Sequence, residues 1–286
     1  MHSPRTKSVD TRAGHLEVLV WEPALPAERG PTVLALHGFP ESAWEWAPVA
    51  EILSGQGVRV IAPTQRGYGA GARPGEVSEY AIEHLAADAF AVADHFGLER
   101  VHVAGHDWGA SVAWWMAGHH PGRVASLVAV SVPHLGAFAE ALETDPDQRD
   151  RSAYFTLFRQ EGKAEDVLLA DDARRLRAMF ADQVPEELVR RHLEFVGDRA
   201  GLTGALNWYR AMRRYDLPDV SVPTTFLWGE NDPAIARSGA AATASRVSAD
   251  YRFLPLVGVG HWIPEQEPHI LAREILSRVR TGAVPV

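Results

Sequence analysis

The stretch Val101-His102-Val103-Ala104-Gly105-His106-Asp107-Trp108-Gly109-Ala110 is an apolar, strand-like run that ends in Gly-x-Asp-x-Gly, with a helix-forming stretch directly after it. Glycines on both sides of a sharp strand-to-helix turn present the central side chain at the edge of a sheet, above a helix N-terminus. Here that side chain is Asp107. A carboxylate is already ionised at neutral pH, so it attacks a saturated carbon without help from a base and leaves an alkyl-enzyme ester. Alone the pattern is weak, because Asp also caps helices. Three further placements give it weight. His37-Gly38-Phe39-Pro40 follows an earlier apolar run, where the Phe39 N–H can face the elbow and form an oxyanion hole with the Trp108 N–H. Asp232 closes Trp228-Gly229-Glu230-Asn231-Asp232, and His261 follows Gly258-Val259-Gly260. The order Asp107, Asp232, His261 is that of nucleophile, orienting acid and base. His261, oriented by Asp232, would deprotonate a water that attacks the ester carbonyl. Glu230 is the fallback acid.

These residues need a sheet to hold them. Short apolar runs recur at 15–23, 32–38, 59–65, 101–107, 126–132, 224–230 and 251–258. Between them lie stretches with apolar residues at i, i+3 and i+4, notably 79–96, 109–120 and 267–279. Uninterrupted runs such as Val33-Leu34-Ala35-Leu36 suit strands covered on both faces, hence a mostly parallel sheet flanked by helices, an α/β class. The first run alternates more cleanly and is expected as an antiparallel edge. Between His134 and Pro218 the alternation stops, and helical patterns cover 152–161, 164–181, a helix opened by Pro185 at its first turn, and 203–214. The expected organisation is a core of residues 1–134 and 218–286 with a helical cap inserted at 135–217.

Composition narrows the function classes. The 286 residues carry 28 Lys+Arg against 37 Asp+Glu, a formal charge of −9, which repels phosphate backbones and anionic lipid heads. No nucleic-acid or membrane partner is expected; a small uncharged ligand fits better. There is no cysteine, which removes disulfides, thiolate nucleophiles and Cys-based metal sites. No apolar run approaches the ~18 residues of a membrane span, and the start lacks a signal-peptide core, so the expectation is a cytoplasmic monomer or homodimer. His119-His120 has no metal-site context, and Gly67-Tyr68-Gly69-Ala70-Gly71-Ala72 is followed by Arg73-Pro74 rather than a helix, so neither a metal nor a nucleotide cofactor is expected.

His37-Gly38-Phe39-Pro40-Glu41-Ser42, Arg66-Gly67-Tyr68-Gly69, Gly105 to Ala110, Leu206-Asn207-Trp208-Tyr209-Arg210 and Gly260-His261-Trp262 together resemble the epoxide hydrolases of the α/β-hydrolase fold, over essentially the whole chain. The resemblance implies hydrolysis of an epoxide to a diol without a cofactor, with a cap tyrosine protonating the epoxide oxygen. Tyr209 matches one of the family's two tyrosine positions. At the other, aligned through Gln160-Glu161, this sequence has Phe158; Tyr154, one helical turn earlier, is the alternative donor.

Two other readings compete. Haloalkane-type dehalogenases share the Asp nucleophile, the His base and a tryptophan after the nucleophile, so Trp108 fits both readings, but they usually place Asn or Trp where Phe39 stands, and a phenyl ring offers a halide no N–H. Fluoroacetate dehalogenases tolerate Phe there but usually carry arginine after the nucleophile to bind a substrate carboxylate, so Trp108 speaks against a small anionic substrate. A non-catalytic small-molecule receptor on the same fold is the reading of another class. His37 is expected chiefly to fix the oxyanion loop, with Phe39-Pro40 as a cis bond. His37, Phe158, Trp208 and Trp262 are the expected contacts for a neutral, apolar substrate.

Overall fold

The computed structural model describes residues 3–23 and 30–281; the core limits set at residues 1 and 286 lie outside them. Among the described residues eight strands form one sheet: β1 (Arg5–Thr11), β2 (Gly14–Trp21), β3 (Thr32–Leu36), β4 (Arg59–Pro63), β5 (Val101–His106), β6 (Val124–Val130), β7 (Thr224–Gly229) and β8 (Tyr251–Leu256), in the order β1-β2-β4-β3-β5-β6-β7-β8. The β1-β2 and β2-β4 pairs are antiparallel and every other pair is parallel. The run expected at the edge, β2, is antiparallel but interior. The edge is β1, whose sequence RTKSVDT buries only Val9 and so carries almost no hydrophobic alternation.

Helices α1 (Ala47–Gly55), α2 (Ile82–His95) and α3 (Trp108–His119) follow β3, β4 and β5. In β3, Leu34 and Leu36 enter one core while Val33 and Ala35 enter the other, so the strand is apolar at every position because both faces are covered. Every residue of α3 from Trp108 to Ala117 is buried, as expected of a helix apolar all round.

Between β6 and β7 come six helices: α4 (Leu135–Thr144), α5 (Pro146–Arg151), α6 (Phe155–Phe158), α7 (Lys163–Ala178), α8 (Glu186–Val196) and α9 (Arg199–Ala211). The helix expected over 152–161 shrinks to the single turn of α6. The one expected over 164–181 is broken: Ala170 is extended, and Asp171, Asp172 and Ala173 are left-handed, with φ of 53°, 56° and 56°. Pro185 precedes α8 instead of opening its first turn. The last starts four residues before the expected Thr203, because Asp198 accepts the Gly201 N–H at 2.6 Å as its N-cap. After β7 come α10 (Arg237–Ala242), α11 (Ile263–Gln266) and α12 (Pro268–Thr281). No helix among the described residues is long and apolar enough to cross a membrane.

Candidate active site

Asp107 stands between β5 and α3 with φ 49° and ψ −117°, a left-handed backbone that an L-residue adopts only under constraint. The flanking glycines supply it. A Cβ on Gly105 would lie 2.3 Å from the Gly109 carbonyl oxygen, and one on Gly109 would lie 1.9 Å from that of Leu36. The elbow therefore sits directly on the end of β3, where the next residues turn inward through a cis Phe39-Pro40 bond. The Phe39 N–H donates to Asp107 Oδ1 at 2.9 Å.

The other carboxylate oxygen, Oδ2, faces Nε2 of His261 at 3.5 Å. Nδ1 of that histidine lies 2.8 Å from Oδ2 of Asp232. Asp232 is fully buried, and its Oδ1 accepts the N–H groups of Ala234 and Ile235 at 2.7 and 3.1 Å, which fixes the carboxylate. Burial alone would raise the Asp107 carboxyl, but the hydrogen bond and charge of His261, aided by His106 and the Phe39 N–H, hold it below its usual value. Burial alone would likewise lower the His261 imidazole, yet Asp232 and Asp107 together hold it well above the usual histidine range. The resting site is thus an imidazolium between two carboxylates.

Beside Asp107 lies a cavity of about 320 Å³ lined by Phe39, Asp107, Tyr154, Phe158, Tyr209, His261 and Trp262, together with Arg151, Leu168, Met179, Pro233 and Ala234. A smaller space of about 40 Å³ opens on the other side, against Trp108, Leu135, Phe138 and Met212, and shares Asp107, Tyr154, Tyr209 and Ala234 with the first. Tyr154 and Tyr209 thus stand where the two spaces meet, their ring centroids 6.2 Å apart and each about 5.0 Å from Phe158. Burial, reinforced by the Asp107 charge, pushes both phenols well above their usual range, so both remain protonated at neutral pH.

Two of the expected substrate contacts line neither space. His37 is fully buried; its Nδ1–H donates to the Gly38 carbonyl at 2.9 Å and its Nε2 accepts the Gln65 N–H at 2.9 Å, which ties the oxyanion loop to the segment after β4. Trp208 is buried with its indole N–H donating to the Arg66 carbonyl at 2.9 Å. Both rings hold backbone, and the two-sided helix that places Tyr209 in the cavity turns Trp208 away from it. His119 ends α3 stacked on Trp115, with ring centroids 3.8 Å apart.

Of the residues that hold the His261 loop, Ser131 and Gln266 stand in no sequence motif, and His106 enters the elbow motif only as its unspecified position. The His261 carbonyl accepts from Ser131 Oγ at 2.7 Å and from His106 Nε2 at 3.0 Å, and Gly260 N–H donates to Gln266 at 3.0 Å. Behind the elbow, among the described residues, two overlapping groups have the donor types and spacing of a metal site: Glu41, Glu45 and His106, and Glu41, His192 and Glu265.

A mostly parallel sheet with an aspartate elbow, a buried acid and a histidine after the last strand is the architecture of one class, and a family model described as the alpha/beta hydrolase fold matches residues 31–268. The chain belongs to that family and, within it, to the epoxide hydrolases. Epoxide hydrolase A of Mycobacterium tuberculosis is 33% identical over 97% of this chain and 98% of its own length. An AB hydrolase superfamily protein of Bacillus subtilis is 32% identical over 88% and 91%. The crystal structure of epoxide hydrolase A from Mycobacterium thermoresistibile superposes with a TM-score of 0.83 at 28% identity, covering 97% of this chain and 98% of that one.

Proposed function

We infer that the protein hydrolyses a neutral, apolar epoxide to a vicinal diol, with residues 135–217 as a cap that closes the cavity over the sheet edge. The observation that carries this reading is Asp107, with Oδ1 held by the Phe39 N–H, Oδ2 facing His261 and the residue lining a cavity together with two protonated tyrosines. Oδ2 attacks a ring carbon and the C–O bond to the epoxide oxygen breaks. That oxygen takes a proton from Tyr209 or Tyr154, and an ester links the substrate to Asp107. Ester formation removes one of the two negative charges that hold the proton on His261. The imidazole then sheds its proton, which re-protonates the tyrosinate by way of solvent, and becomes a base. It takes a proton from water, the hydroxide adds to the Asp107 carbonyl carbon, and negative charge develops on Oδ1 opposite the Phe39 N–H. Collapse releases the diol and restores the carboxylate.

The dehalogenase reading lacks the second N–H of a halide cradle: Trp108 brings an indole beside Asp107, but Phe39 brings only a phenyl ring. The test is product analysis with neutral terminal epoxides and primary alkyl halides, scoring diol and free halide. Diol without halide is expected. Asp107→Ala should abolish turnover, and His261→Gln should accumulate the ester as a covalent mass adduct. Halide release alone, or wild-type turnover in either variant, overturns the mechanism.

A further inference from the structure

The loop that carries Asp232 has no regular structure of its own. Residues 232–236 lie between β7 and α10, outside any helix or strand, and Pro233 brings no N–H. The Asp232 carboxylate accepts the N–H groups of Ala234 and Ile235, which curls the loop around its own side chain. The backbone groups that face away from that side chain are held mainly by the cap. Arg151, at the end of α5, donates from Nη1 to the Asp232 carbonyl. Gln148, one turn earlier on the same helix, donates from Nε2 to the Ala234 carbonyl at 2.8 Å and accepts the Ala236 N–H on Oε1 at 2.8 Å. The sheet contributes the Trp228 indole, whose N–H donates to the Ile235 carbonyl at 3.2 Å.

Gln148 is fully buried, and its second amide hydrogen goes to Ser152 Oγ at 3.0 Å, so both N–H groups and the carbonyl of the amide are used. The opposite amide orientation would set Nε2 against the Ala236 N–H and Oε1 against the Ala234 carbonyl, so the loop itself decides which way the amide points. An apolar side chain of the same length would fill the same space and leave the buried Ala236 N–H without its acceptor. Arg151 is fixed on its other edge, where Nε donates to Asp147 Oδ2 at 2.9 Å. One face of α5 thus grips the acid loop at three backbone groups.

We propose that Gln148 and Arg151 are positioning residues for the acid–base pair: through α5 the cap sets the Asp232 carboxylate against Nδ1 of His261. The kinetic consequence rests on the two-step mechanism proposed above and divides its steps. Ring opening uses Asp107 and a tyrosine, whereas ester hydrolysis needs His261 as a base whose tautomer and orientation Asp232 holds. Once Asp107 is esterified its charge no longer supports the imidazole, and of the two carboxylates that face the ring only Asp232 remains. The placement of Asp232 therefore matters most in the second step, and a misplacement of about 1 Å in catalytic machinery can cost on the order of a hundredfold in rate. Loosening the grip of α5 should slow ester hydrolysis and spare ring opening.

The test compares full-length wild type with Gln148→Met, which keeps the side-chain length and removes its hydrogen bonds, and with Arg151→Met at a partly exposed position. Val196→Ala, a fully buried cap position in α8 away from the loop, serves as the control that lowers Tm by a core cavity alone. Proton NMR of the resting protein reads the hydrogen between His261 Nδ1 and Asp232, which resonates downfield of the backbone amides and is assigned by its loss in His261→Gln. Rapid quench with a terminal epoxide followed by intact-mass analysis gives the rates of ester formation and ester loss separately. In both Met variants the resonance should move upfield or vanish, ester formation should stay within about threefold of wild type, and ester loss should slow by about tenfold or more, so that the adduct accumulates. Arg151→Lys, which keeps a donor, should recover most of the loss, and Val196→Ala should leave both readouts as in wild type. An unmoved resonance in both Met variants, or ester loss that keeps pace with ester formation in them, makes the contacts structural only and overturns the proposal. If Gln148→Met does not fold, Arg151→Met carries the same test. If wild type forms neither ester nor diol, the hydrolase reading fails by itself, and the resonance alone decides whether the cap sets the acid.

Discussion

Asp107 and His261 owe their protonation states to one another, and neither would be predicted from burial alone. Desolvation opposes the charge on each, and the 3.5 Å contact with its opposite, together with Asp232, overcomes it. A histidine without such a partner behaves in the opposite way. His134 is fully buried, accepts the Gly136 N–H and caps α4; burial first, then Arg246, lowers its pKa to about 4, against the opposing Pro218 carbonyl and Asp219. Unfolded, it takes a proton near pH 6.5, so between pH 6.5 and 4 the unfolded chain binds a proton that the folded chain refuses. Its contribution to stability is therefore present above that window and lost as pH falls through it. His134→Asn, which keeps a capping oxygen, should flatten the dependence of unfolding free energy on pH there by up to about 1.4 kcal/mol per pH unit, read from urea titrations at several pH values. At this scale the sequence showed most of what the structure brings together. Asp107, Asp232, His261 and Tyr209 lie in local patterns whose geometry follows from a turn or a strand end. Which way His37 and Trp208 point depends on the partners Gln65 and Arg66, far away in the chain, and no local pattern carries that.

The position of α9 decides where Tyr209 stands, and two glycines decide the position of α9. Gly67 has φ 94°, and a Cβ on Gly204 would lie 2.2 Å from the Gly67 carbonyl oxygen. The Arg66-Gly67-Tyr68-Gly69 segment is thus the floor on which the tyrosine-bearing helix rests, fastened by the Trp208 indole. Replacing Gly204 by Ala sets two effects against each other. Helix propensity favours Ala by about 1 kcal/mol, whereas forcing backbone apart in a packed interior costs about 1–3 kcal/mol. The blocking atom is a main-chain oxygen that cannot rotate away, so the clash should win: a lower Tm by calorimetry, and slower diol formation as Tyr209 is displaced. Elements were legible where burial wrote a pattern. Strands covered on both faces appeared as apolar runs, but β1, with a single buried side chain, wrote none. The break inside α7 falls at Ala170 to Ala173, where neither Gly nor Pro marks it.

Taken whole, the molecule encloses space unevenly around its nucleophile. About 320 Å³ lies on one side of Asp107 and about 40 Å³ on the other, closed by Leu135, Phe138 and Met212. An epoxide with one apolar substituent fits with its bare carbon toward the small space, while an epoxide substituted on both carbons must push a group into it. Terminal aryl or alkyl epoxides should therefore exceed their trans-disubstituted counterparts by about tenfold or more in kcat/KM, the equivalent of roughly 1.4 kcal/mol in the transition state; equal rates would mean that the small space opens during turnover. Volumes of this kind arise from side chains contributed by many separate segments, which is why the sequence indicated an apolar pocket and nothing of its lopsidedness. One detail of the grip on Asp107 reaches beyond rate. Because the Phe39 N–H holds Oδ1 and leaves Oδ2 to attack, the oxygen that leaves in the diol is the protein's own, and water replaces it in the side chain. The chain is thus a stoichiometric reagent in its first cycle: in isotopically heavy water the first diol formed stays light, and the protein itself keeps the label as a record that it has turned over once.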